Sequence, residues 1–194
     1  MKKNLAVAVL ALGAAQAVWA QPVVRPLVGM GFTFGGDTVA RVVYDNGDSE
    51  KVRAGGLIAF TTGLEMSFSP LVSAQALIGY HVDGVTASNG DVKFDRYPAE
   101  FLGHYRLTDT FRVGGGARYT AKARTRSSGA ASGTVPSEDF KPAWGTVVEG
   151  EFTIGRNLGI KLRYVSEKFD SKTFPGAPEL KGNHGGIYIV GYFF

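Results

Sequence analysis

Beyond residue 20 the chain alternates apolar and polar positions with a period of two. In its last run, 182–194, Tyr188, Val190, Tyr192 and Phe194 alternate with Ile187, Ile189, Gly191 and Phe193. That period belongs to a strand, whose successive side chains point to opposite faces. Eight such runs follow one another, at 25–44, 51–68, 72–85, 92–105, 111–124, 140–154, 158–169 and 182–194. No stretch after Ala20 repeats at helical spacing over a useful length. The expected fold is all-β: an eight-stranded antiparallel up-and-down transmembrane β-barrel.

The connections between runs alternate in length. Short turns follow the second, fourth and sixth runs, at 69–71, 106–110 and 155–157, whereas the segments after the third, fifth and seventh are longer and polar, notably 125–139 and 170–181. Asn46-Gly47 between the first two runs is a type I′ hairpin signal, because both central residues of that turn take positive φ. Bacterial outer-membrane barrels put short turns in the periplasm and longer loops outside. Both mature termini are then expected in the periplasm.

A soluble barrel that binds a ligand also alternates, so the content of the two faces has to decide. In the second run Ile58, Phe60, Thr62, Leu64, Met66 and Phe68 oppose Leu57, Ala59, Thr61, Gly63, Glu65 and Ser67. The fifth opposes Phe111, Val113, Gly115, Ala117, Tyr119 and Ala121 to Arg112, Gly114, Gly116, Arg118, Thr120 and Lys122. The second face mixes glycine with long charged side chains, which suits the narrow interior of an eight-stranded barrel. The apolar face carries aromatics at two levels. Phe68, Tyr105, Phe111, Tyr192 and Phe194 are expected low, and Phe34, Phe60, Tyr80, Tyr97, Tyr119, Trp144, Tyr164 and Tyr188 higher. Amphipathic rings prefer the headgroup level of a bilayer, so two girdles flanking an apolar band point to lipid.

The first 20 residues read differently. Lys2 and Lys3 precede an apolar run, and Val18-Trp19-Ala20 ends in small residues where a signal peptidase reads them. A cleaved secretory signal peptide (1–20) followed by a barrel domain (21–194) is the expected organisation. A transmembrane anchor needs about 20 apolar residues, and Gln16, Gln21 and Pro22 interrupt this run. Removing the leader takes two lysines from the 21 Lys and Arg, leaving 19 against 17 Asp and Glu. The basic balance is therefore no argument for nucleic acid. The chain has no cysteine, which removes disulfides, thiol catalysis and Cys-based metal sites.

Signal peptide, eight alternating runs and the closing Gly191-Tyr192-Phe193-Phe194 together resemble the small outer-membrane barrels of the OmpA, OmpX and OmpW type. The resemblance covers the whole mature chain. It implies residence in the outer membrane of a Gram-negative envelope as a monomer, with outer-membrane lipids and lipopolysaccharide as partners. Tyr188, Val190, Tyr192 and Phe194 resemble the C-terminal signal read by the barrel assembly machinery, a partner during biogenesis. Three kinds of function fit: a structural or surface-interaction barrel with a plugged lumen, a conduit for small hydrophobic molecules as in OmpW, or a lipid A-modifying barrel enzyme.

The glycine-rich face favours the first. If the turn at 155–157 is centred on Arg156, Glu151 faces Lys161 and Glu149 faces Arg163, and opposite charges directly across an antiparallel pair are stabilising. Glu65, Glu100, Arg112, Arg118 and Lys122 extend the same face, so an interior charge network is expected to fill the lumen. Chemistry for an enzyme is sparse. The histidines stand in His81-Val82-Asp83, His104-Tyr105-Arg106 and His184-Gly185-Gly186, none with a Ser two residues on, and only a loose trio of His81, Asp83 and Ser88 imitates an acyltransferase. No enzymatic activity, cofactor or metal is expected. Arg41, Lys51, Arg53, Arg124, Arg126, Lys141, Lys168 and Lys172 fall towards the loop ends, where lipopolysaccharide phosphates lie and where solvated loop charge is equally common.

Overall fold

The computed structural model describes residues 22–43, 48–87 and 90–193. The leader, the Asn46-Gly47 turn, Ser88 and Phe194 lie outside the described residues. Eight long strands form the staves of a closed antiparallel barrel: β1 (Val23–Gly35), β4 (Leu57–Ser67), β5 (Val72–Ala87), β6 (Gly90–Arg106), β7 (Phe111–Ser127), β9 (Ala143–Ile154), β10 (Leu158–Phe169) and β12 (His184–Tyr192). Each pairs with its sequence neighbour among the staves, and β12 closes onto β1 with Gly31 opposite Tyr188. Closure leaves no stave with an unpaired edge, the condition for crossing a bilayer with strands.

Four short strands decorate the loop end: β2 (Thr38–Val43), β3 (Ser49–Arg53), β8 (Glu138–Phe140) and β11 (Leu180–Lys181). The runs 25–44 and 51–68 were each expected to be one strand, and each is two. Gly36 has φ +74 and a Cβ on it would lie 2.4 Å from the Gly55 nitrogen, so the strand breaks at a glycine where the two segments touch. Beyond the break β2 and β3 form their own two-stranded sheet, with Ala40 and Val52 buried. The connection after the third run is also shorter than expected, because β5 and β6 continue to Ala87 and Gly90.

At the opposite, turn end the connections are tight for a chemical reason. The Ser69 hydroxyl accepts the N–H groups of Leu71 and Val72, and the Thr108 hydroxyl those of Thr110 and Phe111. These local side-chain bonds substitute for ladder bonds and fix a short turn. Gly155 supplies positive φ at the third.

Large apolar side chains cover the outside, among them Trp144 at 72% exposure, Phe34 at 66% and Phe101 at 65%. A contiguous apolar band of this kind is stable against lipid and not against water. Phe34, Phe60, Phe68, Tyr97, Tyr105, Trp144 and Tyr164 are exposed on this surface, with Tyr80, Phe111 and Tyr119 half-buried. Contacts tie the rings together: Tyr80 with Tyr97 at 5.2 Å, Tyr119 with Trp144 at 5.0 Å and Phe111 with Phe152 at 4.6 Å.

The last strand departs from the sequence reading. Tyr188, Val190 and Tyr192 were assigned to the lipid face, but all three are buried inside the barrel, and Ile187, Ile189 and Phe193 are the exposed ones. Both faces of this strand are apolar, so alternation sets its period without choosing its side. Space and polar partners inside make the choice. Gly31 directly opposite leaves room for the Tyr188 ring, where a Cβ would come within 2.5 Å of it, and the Tyr192 hydroxyl meets charged groups in the lumen.

A second departure lies on β7. Tyr97 pairs with Lys122 but Pro98 pairs with Thr120, so Ala121 is an extra residue in a β-bulge. The bulge reverses the facing of everything beyond it: Ala123 and Thr125 turn inward, and Lys122, expected in the lumen, is exposed.

Candidate functional site: a lumen filled by ion pairs

The interior is built in layers, each set by the ladder register. At the turn end Arg25 stands opposite Glu65, Glu65 opposite Gln75, and Arg112 opposite Glu151. Arg25 donates two hydrogen bonds to one Glu65 oxygen, at 2.9 and 2.6 Å, and Gln75 donates to the other at 2.7 Å. Arg112 bridges Glu65 at 2.7 Å and Glu151 at 2.8 Å. The Tyr192 hydroxyl donates to Glu151 at 2.7 Å and accepts from Arg112, while the Arg25 guanidinium lies 4.2 Å over its ring. This is what holds the tyrosine inward.

The next layer belongs to Glu149. Its Oε1 accepts from Lys161 at 2.6 Å and from His104 at 2.7 Å, and its Oε2 lies 2.8 Å from Arg163 Nε. Lys161 also donates to Gln75 and stands 3.6 Å from Glu151. His104, Glu149 and Glu151 bring potential ligand atoms within 4.8 Å of one another. The Lys161 ammonium already supplies the positive charge between these carboxylates, so the donor set does not fit a metal ion.

Glu100 organises the middle, accepting from Arg163 at 2.5 Å and from its register partner Arg118 at 2.8 Å. Glu167 does the same nearer the loop end, accepting from Arg96 at 2.6 Å, Arg118 at 3.2 Å and the Thr120 hydroxyl at 2.9 Å. Five carboxylates (Glu65, Glu100, Glu149, Glu151, Glu167) and five cations (Arg96, Arg112, Arg118, Lys161, Arg163) are thus buried together, with part-buried Arg25 at the turn end. Each of these charges has an opposite charge within ion-pair distance, which matters in so narrow a space because an unpaired buried charge is costly.

Glu65, Glu100, Arg112, Arg118, Glu149, Glu151, Lys161 and Arg163 all meet in this column. Sequence reasoning missed Arg25, Gln75, Arg96 and Glu167. Their phase was available: Glu167 continues Gly159, Lys161, Arg163 and Val165, and Arg96 continues Glu100 and His104.

Above the column sits an apolar cap that the polar composition of the loops conceals. Phe94, Phe140 and Phe169 are mutually edge-to-face at 5.7–6.1 Å, packed with Ala40, Val52, Val85 and Val92. Between cap and column, His81 Nε2 lies 2.7 Å from the Thr33 hydroxyl and 2.8 Å from the Gly56 carbonyl, with its ring 4.8 Å from that of His184. Asp83, which the sequence grouped with His81, instead accepts from the Arg53 backbone N–H at 2.8 Å.

A closed barrel with a lipid-type exterior and a charged interior defines a membrane protein class, and a family model described as "Outer membrane protein beta-barrel domain" matches residues 5–188. The chain belongs to this outer-membrane β-barrel family. It is accordingly an integral β-barrel of the bacterial outer membrane. Among solved structures it is similar to Ail, the attachment invasion locus protein of Yersinia pestis, at 15% identity over 88% of this chain and 97% of that one, with a TM-score of 0.50. Ail in complex with the heparin analogue sucrose octasulfate gives 17% identity, the same coverages and 0.51. Neisserial surface protein A gives 11%, 87% and 94%, and 0.51. At these identities the likeness is one of fold. No curated protein matches the sequence significantly.

Proposed function

We propose that this protein is a closed, non-catalytic barrel that works through its loop-end surface, with both termini in the periplasm and lipopolysaccharide as its lipid partner. The observation that carries the reading is the succession of buried ion pairs along the lumen, from the Arg25, Glu65 and Arg112 layer up to Arg96 and Glu167, with the Phe94, Phe140 and Phe169 cap above them. A solute would have to break several buried ion pairs at once, each costing roughly 3–5 kcal/mol when one partner is lost. The cap also gives the projecting strands β2, β3, β8 and β11 an apolar core of their own. That suits surface interaction, and Ail, whose fold is similar, has been seen with a sulfated sugar. The histidines support the non-catalytic reading, since His81 and His184 are buried beneath the cap.

Planar-bilayer recording of the purified protein tests this directly. The expected record holds at most small, rare conductance steps, and large steady conductance overturns it in favour of a conduit. Mass spectrometry of lipid A from overproducing cells is expected to match the control. A change in acylation that disappears in His81→Ala or His184→Ala overturns the non-catalytic part.

A further inference from the structure

We propose that the turn-end mouth of the lumen holds a binding site for a single oxyanion group, a carboxylate or a phosphate from the surrounding solution, centred on the Arg106 guanidinium. Its periplasmic address rests on the orientation proposed above, whereas binding by the purified protein does not depend on it.

The site is a recess of about 20 Å³ between the β4–β5 turn and the first pairs of β6 and β7, with Glu65, Ser67, Ser69, Ser73, Arg106 and Arg112 in its lining. A cavity needs about 10–15 Å³ to hold one water molecule. The recess therefore has room for the end of a carboxylate or phosphate, and none for a sugar or a base.

The acceptors around it are already taken. One Glu65 oxygen is held by Arg25 and the other by Gln75 and Arg112. The Val72 carbonyl accepts the N–H groups of Phe68 and Ser69, and the Leu71 carbonyl that of Arg106. The Ser69 oxygen accepts two amides and the Ser73 oxygen accepts Arg112 at 3.3 Å, so each of these hydroxyls has its proton left to give. The Ser67 hydroxyl forms no hydrogen bond among the described residues. What faces the recess is a set of donors, the complement of an anion.

Charge is left over as well. Arg112 is buried and shared between Glu65 and Glu151. Arg106, half-buried and directly opposite it in the ladder, pairs with no carboxylate among the described residues. Like charges directly opposite each other are unfavourable, and burial of one reduces the screening that water gives. An oxyanion against Arg106 relieves that repulsion, whereas a metal cation or an amine would add to it.

NMR of the folded protein in detergent micelles, titrated with sodium phosphate or sodium acetate at constant ionic strength, tests the site. Saturable shifts are expected at the Arg106 Nε–H and at the Leu71 and Val72 amides, which bond to Ser69. Arg106→Gln should weaken binding about tenfold, the worth of one charge-assisted hydrogen bond. Arg156→Gln, on an exposed turn at the same end, should leave it unchanged. Phosphate should also raise the unfolding temperature of the wild type and not that of Arg106→Gln, since a ligand stabilises only the state that binds it. Equal weakening in the two variants, or shifts that grow without saturating, overturn the site in favour of general charge attraction. Absence of shifts with both anions overturns it outright. Shifts that arise only when phosphatidylglycerol is added to the micelles overturn the soluble anion and make a lipid headgroup the occupant.

Discussion

Glu149 and Arg163 face each other across the β9–β10 ladder with 2.8 Å between carboxylate and Nε, yet neither belongs to the other alone. Glu149 also takes Lys161 and His104, and Arg163 reaches across the lumen to Glu100 on β6. The pair is one link in a chain of shared ions, so removing both members leaves Lys161 and Glu100 short of a partner. This changes which double substitution should be mild.

Glu149→Gln should destabilise the barrel by roughly 3–5 kcal/mol, because a buried cation loses its counter-charge. Adding Lys161→Met removes the cation whose nearest carboxylate is Glu149 and should recover much of that loss, more than adding Arg163→Met, which also takes a partner from Glu100. Urea unfolding in lipid vesicles measures all three. Simple additivity of the Glu149 and Lys161 effects would show that the two do not share a site.

The facing of β12 can be read with probes. A fluorophore on Ile189→Cys should be strongly quenched by a lipid-phase quencher, and one on Val190→Cys should not. In the same strand Ile189→Arg should cost about 2–4 kcal/mol through exposure of charge to lipid, whereas Tyr192→Phe should cost about 1 kcal/mol for its hydroxyl bonds to Glu151 and Arg112. The opposite order would reverse the strand.

The cap and the ionic column are separate barriers. Phe94→Ala with Phe140→Ala should loosen the loop platform, seen as faster proteolysis of residues 128–142, with bilayer conductance still closed by the pairs below. Conductance appearing in that variant would make the cap the only seal.

Export and assembly leave their own marks. Membrane-purified protein should begin at Gln21, and an intact Met1 would refute cleavage. Deleting Phe194 should reduce the folded, gel-shifted form and leave unfolded protein in the periplasm, and a normal yield would make the terminal aromatic incidental to assembly.

What the sequence determined by itself is whatever is local to one strand or one tight turn. Period two, the glycine-and-charge content of one face and the opposition of Glu151 to Lys161 about the 155–157 turn depend on residues a few positions apart, and the observed register pairs them so. Closure decided the rest. Arg96 meets Glu167 across the lumen, 71 residues away, only because β6 and β10 stand on opposing walls of a narrow barrel. Tyr188 and Tyr192 point inward because the strand that seals the barrel is apolar on both sides, and its orientation falls to Gly31 and the lumen charges. One inserted residue at Ala121 reverses Lys122, since a period of two keeps no memory of phase once a bulge has intervened.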